Sequence, residues 1–161
     1  MSQPTAAMDL PSYITGLCEG EACFTVSFSL RRKLKLGIEV RPSFSLSQHE
    51  RNLEVIKLLR EYFGVGGIRF SRTDRNYKFE VRSINDLMKA VIPHFRKYRL
   101  KSLKQEDFER FAEVCGLVYA SKHKSLAGMR RIIGLACEMN PSGKRKYHKD
   151  KLLRLLDKVK E

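Results

Sequence analysis

The residues that stand out for chemistry are Glu19 and Glu21, in the stretch 11–24, which reads PSYITGLCEGEACF. Up to residue 21 the spacing is that of a helix; from Phe24, Val26 and Phe28 onward apolar residues alternate as in a strand. Two carboxylates where a helix runs into a sheet are costly unless a cation or a proton neutralises them. Gly16 and Gly20 lie four residues apart and share one helix face. A face without side chains admits a second helix almost backbone to backbone. Taken alone, an acidic pair after a glycine also describes an ordinary solvated helix end.

Composition narrows the setting. The 161 residues suit one domain with a real core, and 42% hydrophobic content is that of a globular chain. Lys and Arg outnumber Asp and Glu by 32 to 18, giving +14. Residues 1–93 carry 14 basic and 10 acidic side chains, residues 94–161 carry 18 and 8, so the excess grows from +4 to +10. Such an excess points to a polyanion, nucleic acid before an anionic membrane surface. No apolar run approaches membrane-spanning length and no signal-peptide layout opens the chain, so the expectation is an intracellular protein, in the cytoplasm (nucleoid) of a prokaryote or an organelle matrix of a eukaryote. Cys18, Cys23, Cys115 and Cys137 show neither CxxC spacing nor clustering with histidine, which argues against zinc and for small packed thiols. His94, His123 and Met129 likewise read as structural.

The elements that must position the acids follow from periodicity. Residues 1–10 read as a flexible leader, and Pro11 suits a first helical turn. In 22–30, Phe24, Val26, Phe28 and Leu30 alternate with Cys23, Thr25, Ser27 and Ser29, a half-buried strand. Arg31, Arg32 and Lys33 make a hairpin tip. The next strand turns Leu36, Ile38, Val40, Phe44 and Leu46 inward and Lys35, Glu39, Arg41, Ser43 and Ser45 outward. Ser47-Gln48-His49-Glu50 has the form of a capping box and opens a helix to about residue 63, stopped by Gly64, Gly66 and Gly67. Strands at 68–71 and 77–81 turn Ile68, Phe70, Tyr77, Phe79 and Val81 inward and Arg69, Ser71, Lys78, Glu80 and Arg82 outward. Ser83 and Asp86 suit the cap of a helix to about residue 94. Helices at 102–119, 126–139 and 149–159 complete an α+β chain of order α-β-β-α-β-β-α plus C-terminal helices. Its four antiparallel strands share one polar, basic face. The organisation expected is a domain over 11–140 and a basic helical extension over 141–161, the latter carrying Lys144-Arg145-Lys146.

Residue by residue, Ile14-Thr15-Gly16-Leu17-Cys18-Glu19-Gly20-Glu21 resembles the signature helix of the LAGLIDADG homing endonucleases, with Glu21 at the catalytic acidic position. Ala22 stands where a glycine often follows the acid, and Glu for Asp lengthens the reach. The motif occurs once, with no internal repeat. The resemblance therefore implies a homodimer joined through Gly16, Gly20, Ile14 and Leu17. In such a dimer the two Glu21 carboxylates repel unless a cation lies between them, which implies a metal site at Glu21 and Gly20 for Mg²⁺, open also to Mn²⁺ or Ca²⁺. Gln48, after Phe44-Ser45-Leu46-Ser47, falls where the family often keeps a water-positioning glutamine. Residues 97–108, KYRLKSLKQEDF, resemble its KYP-then-KQ segment and put Lys104 at the catalytic lysine position, with Lys101 as fallback and Arg99 in place of the proline. The polar sheet face becomes a DNA-binding saddle of Thr25, Ser27, Ser29, Arg31, Arg32, Lys33, Lys35, Glu39, Arg41, Ser43, Arg69, Ser71, Lys78, Glu80 and Arg82. Alternating Ser, Thr, Arg and Lys can read base edges and hold phosphates, whereas a bare antiparallel sheet would simply solvate that face.

The expected function is a site-specific endonuclease that makes a Mg²⁺-dependent double-strand cut in a long, near-palindromic duplex. The resemblance implies 5′-phosphates and short 3′ overhangs, and a short chain without a splicing domain favours intron encoding. The alternative is a non-cleaving protein on the same fold, an RNA maturase bound to its intron or a DNA-binding regulator. Retention of Glu21, Gln48 and Lys104 together favours the nuclease. A membrane-surface role is disfavoured, since no helix pairs a basic face with exposed aromatics.

Overall fold

A computed structural model of the chain describes residues 7–159. Residues 1–6 of the expected leader lie outside the described residues. The first helix, α1 (Leu10–Glu21), has Pro11 in its opening turn and feeds directly into β1 (Ala22–Leu30). A tight tip closed by Gly37 in the left-handed region (φ 71°) leads to β2 (Ile38–His49). Then come α2 (Leu53–Phe63), β3 (Gly67–Ser71) and β4 (Asn76–Val81). The four strands form one antiparallel sheet in the order β1-β2-β4-β3.

The expected capping box at Ser47 is corrected. Ser47 pairs with Lys78 inside β2, and the ladder to β4 continues through His49 opposite Asn76. The Glu50 N–H also donates to the Arg75 carbonyl at 2.9 Å. Inter-strand bonds thus hold the chain extended where the sequence offered a helix start. His49 accepts from the Arg51 N–H instead, and a 3₁₀ turn (Glu50–Asn52) precedes α2.

Beyond the sheet, Ser83 accepts from the Asp86 N–H as expected and opens a helical run of α3 (Ile84–Asp86), a π-turn (Leu87–Val91) and α4 (Ile92–Lys97). Pro93 has no N–H for the Lys89 carbonyl, and the helix widens just before it. The chain then adds α5 (Lys104–Tyr119), α6 (Leu126–Glu138) and α7 (Lys149–Asp157).

One face of the sheet is covered by helices. Phe24 is its centre: its ring lies 5.2–5.4 Å from those of Phe44, Phe95, Phe108 and Phe111. Each buried aromatic is worth about 1.5–3 kcal/mol of transfer free energy, so this cluster fixes where β1 begins and hence where α1 ends. Leu152 and Leu156 of α7 belong to the same core. At the far edge the inward reading of Ile68 and Phe70 is corrected: each is 39% exposed, because β3 is an edge strand with a neighbour on one side only. Phe70 packs on Tyr77 across the strand pair instead (4.7 Å).

Candidate nuclease site and DNA interface

Two faces of α1 have opposite surroundings. Ile14, Thr15 and Cys18 are buried inward; Gly16 and Gly20 are exposed outward, and a Cβ built on either would meet no atom within 4 Å. The assignment of Ile14 to a dimer interface is therefore corrected. At 0% exposure inside its own protomer it has no surface left to offer a partner. Leu17 is half-buried and packs against the core from the margin of the glycine face.

The inner face is seated by a polar network. The Thr15 hydroxyl donates to the Tyr98 carbonyl (3.0 Å), so toward His94 Nε2 (3.0 Å) it serves as acceptor. That makes Nε2 the protonated nitrogen, and Nδ1 accepts from the Tyr62 hydroxyl (2.8 Å). Every polar atom of the ring is satisfied only while the ring is neutral. Burial accordingly pushes the imidazole down to about 4.

At the C-terminus of α1 the residues singled out by the sequence meet. The exposed Glu21 carboxylate accepts from Gln48 Nε2 at 3.1 Å. Gln48, next to last in β2, lies on the helix-covered face opposite Tyr77, and its own oxygen accepts from Asn52 Nδ2 at 2.9 Å, which aims the amide nitrogen at Glu21. Lys104, the first residue of α5, reaches the same helix end, its Nζ donating to the carbonyls of Ala22 (2.6 Å) and Cys18 (3.1 Å). An ammonium has three donors, so one remains to serve a ligand. Lys101 contributes only its backbone N–H here, to Glu19 at 2.7 Å.

Glu19 behaves unlike Glu21. Its carboxylate accepts from the N–H groups of Lys101 and Ser102 (2.7 and 3.0 Å) and from the Ser102 hydroxyl. Burial pushes its carboxyl up, but the Ser102 hydroxyl, the two N–H groups and the Lys104 charge outweigh this and hold it below its usual range. Asn52 and Ser102 carry no signal in the sequence: each acts across an element boundary that periodicity does not resolve.

Oxygen donors at this point suit a hard divalent cation: a free carboxylate and the last carbonyls of a helix, Gly20 among them, at the negative end of its dipole. No cluster of three or more metal-binding side chains occurs among the described residues, so one protomer supplies one carboxylate, Glu21. The residues present fit such a cation.

The polar sheet face is ordered in cross-strand rows. Cys23, Ser45, Glu80 and Gly67 align across all four strands, and Ser47, Lys78 and Arg69 form the next row. Toward the tip, Thr25 faces Ser43, Ser27 faces Arg41 and Ser29 faces Glu39. The two acids sit at the hubs of basic clusters. Glu39 bridges Arg31 (2.8 Å) and Arg41 (2.7 Å); Glu80 holds Lys78 (3.0 Å) and Arg82 (3.1 Å), with Arg69 at 4.0 Å. Burial raises the Glu80 carboxyl, and those three cations more than reverse it. Arg32, Lys33 and Lys35 on the tip form no ion pair among the described residues.

The basic run 144–146 divides in role. Arg145 caps α6, donating to the carbonyls of Ala136 and Met139, whereas Lys146 lies 5.4 Å from the Tyr147 ring centre. Lys144–Lys146 and Tyr147 line a groove with Thr25, Ser27 and Ser29 of β1. Asn140, with a left-handed backbone, ties this region to β1 through the Phe24 carbonyl (2.8 Å).

Residues 14–115 match the family model described as LAGLIDADG endonuclease. That is more than half of the chain, and the chain belongs to this family. It is 30% identical over 131 residues to "Probable intron-encoded endonuclease 2" of Neurospora crassa, covering 81% of this chain but only 29% of that relative's length. The fold is similar to the archaeal intron-encoded homing endonuclease I-Vdi141I complexed with DNA: TM-score 0.85, 30% identity, 92% of this chain and 95% of that one. It is also similar to I-SmaMI bound to an uncleaved DNA target in the presence of calcium ions, with TM-score 0.82 and 25% identity, covering 92% of this chain and 49% of that one. No helix among the described residues is long and apolar enough to cross a membrane.

Proposed function

We propose that the chain is an intron-encoded homing endonuclease that works as a homodimer, cutting both strands of a long, near-palindromic DNA duplex with Mg²⁺. The observation that carries this reading is the meeting of Glu21, Gln48 and Lys104 at one helix end, beside a glycine face open to a second copy. One Glu21 per chain serves one strand; two copies related by a twofold axis serve both and favour a palindromic target.

Glu21 and the Gly20 carbonyl would hold the cation, which when bound would supply Lewis-acid charge and an acidified water. Gln48, its carbonyl oxygen committed to Asn52, orients water and the Glu21 carboxylate with its amide nitrogen. The free donor of Lys104 offsets charge as it grows on the phosphoryl oxygens. In the hydrolysis the water oxygen bonds to phosphorus, the bond from phosphorus to the 3′ oxygen breaks, that oxygen takes up a proton, and the product is a 5′-phosphate. The sheet face, with Arg31, Arg41, Arg69, Lys78 and Arg82 around their two acids and Arg32, Lys33 and Lys35 on the tip, sets the register on DNA.

The test is to incubate the protein with a randomised duplex library and Mg²⁺ and to capture cut ends, with Glu21→Gln and EDTA controls. One enriched, palindrome-like site lost in both controls is the expected result. Retention of DNA or intron RNA without any cut ends overturns the nuclease reading in favour of a non-cleaving binder or maturase.

A further inference from the structure

We infer that Glu19 is a positioning residue for Lys104, acting through Ser102 and the loop ahead of α5; as a statement about cleavage, this rests on the reading of Lys104 as the cleaving lysine. The two ends of the contact lie 82–83 residues apart in the chain, so no local preference creates it. Glu19 takes the N–H of Lys101, the N–H of Ser102 and the Ser102 hydroxyl, three donors on one carboxylate. The same hydroxyl oxygen accepts from the Lys104 N–H at 3.2 Å. The chain of bonds closes on itself, because Lys104 Nζ returns to the carbonyls of Cys18 and Ala22 on either side of Glu19 and Glu21. The loop is thus fastened to α1 twice, once by an anion gripping its backbone and once by a cation gripping the helix end.

The charge on Glu19 matters to this arrangement. All three groups that point at it are donors, and an ionised carboxylate is an acceptor only. A glutamine would present an NH₂ to at least one of those donors and lose that bond. Leu103, the residue between Ser102 and Lys104, is 78% exposed and adds no packing that would hold the loop in its place. Leu100 and Phe108 are buried in the core on either side, so packing anchors the two ends of this segment and Glu19 fixes the backbone between them, from which Lys104 starts. In the signature helix the two acids divide the work: Glu21 stays open to a ligand, and Glu19 keeps the lysine in register with it.

The experiment has two arms. In the first, lysines of the intact protein are acetylated competitively and read by mass spectrometry, which needs no DNA target. Labelling of Lys104 should rise several-fold in Glu19→Gln and in Ser102→Ala, relative to the other lysines, with Ser102→Thr near wild type. Unchanged Lys104 labelling in variants with cooperative melts overturns the inference. In the second arm, single-turnover cleavage of the duplex recovered from the library is measured for Glu19→Gln, Lys104→Met and the double variant. A displacement of about 1 Å can cost about 10²-fold, so Glu19→Gln should lower the rate by that order with DNA affinity unchanged. The double variant should be no slower than Lys104→Met alone. Additive losses overturn action through Lys104. Full activity of Lys104→Met, with Lys104 labelling still governed by Glu19, overturns the catalytic reading of the lysine and leaves the clamp standing.

Discussion

On one flank of the α1 C-terminus the Glu19 carboxylate is filled by three donors from the loop before α5; on the other, Glu21 receives a single amide and faces solvent. The residues are of one type, two positions apart, on one helix. A helix rotates by about 100° per residue, so side chains two positions apart point to nearly opposite sides. One therefore meets the α5 loop and the other meets β2. The same division between committed and open charge recurs on the sheet, where Glu39 and Glu80 are held by neighbouring cations while Arg32, Lys33 and Lys35 form no ion pair among the described residues. The lesson is that residue type nominates a group for chemistry, and the number of donors already pointed at it decides whether it is available.

The contrast can be broken most severely at the open acid. Glu21→Gln should reduce cleavage by more than about 10³-fold, the scale of removing a group that stabilises transition-state charge, while leaving DNA affinity near wild type. Measurable cutting at the wild-type rate would remove Glu21 from the site. Next comes the open glycine face. Gly16→Leu adds a side chain where the protomer has room, so light scattering should give monomer mass and cleavage should be lost with little change in helix content. An unchanged dimer mass would place the twofold axis elsewhere.

The inner face of the same helix should respond in the opposite sense. Ile14→Ala removes a fully buried side chain and should cost about 2–5 kcal/mol in denaturant titrations without changing the mass of what remains folded. Acid should loosen the same seat. With the His94 imidazole held at about 4 when folded and 6.5 when unfolded, the unfolded chain binds the proton in that window. The stability tied to the neutral ring is complete above pH 6.5 and falls as pH drops toward 4, by about 3 kcal/mol in all. Unfolding titrations at pH 7 and pH 5 check this, and a His94→Gln variant with the same pH slope would refute the assignment. The smallest effect belongs to the tip. Lys33→Ala should weaken DNA binding evenly across sequences and reduce the slope of log K against log salt by about 1.

Much of the arrangement was legible in the residues. Period two in 22–30 and 38–46, helical spacing from 53 to 63, and the turn residues around Gly64 to Gly67 gave the order of elements, because those signals are local. The resemblance to the family at the signature helix, at the stretch ending in Gln48 and at residues 97–108 also nominated Glu21, Gln48 and Lys104 for one site. Local signals failed where partners were distant. Ser47 to Glu50 has capping chemistry, but pairing with β4 is a tertiary contact and it prevailed. Ile68 and Phe70 alternate like core residues, yet they lie on an edge strand with one neighbour and stay partly exposed. Ile14 sits in the signature helix, but its direction depends on which side of that helix the sheet covers.

The sequence by itself carried the resemblance to the family, and it determined the element order, the basic polar sheet face and the candidate residues of the proposed site. These are properties of residue type and near-neighbour spacing. Only the tertiary structure decided that Asn52 aims Gln48, that Glu19 is spent on the loop carrying Lys104, that Arg145 caps α6, and that Ile14 faces inward. Each of those outcomes rests on a hydrogen bond or a buried surface formed between segments whose meeting is set by packing around Phe24, and packing is not written in any local pattern.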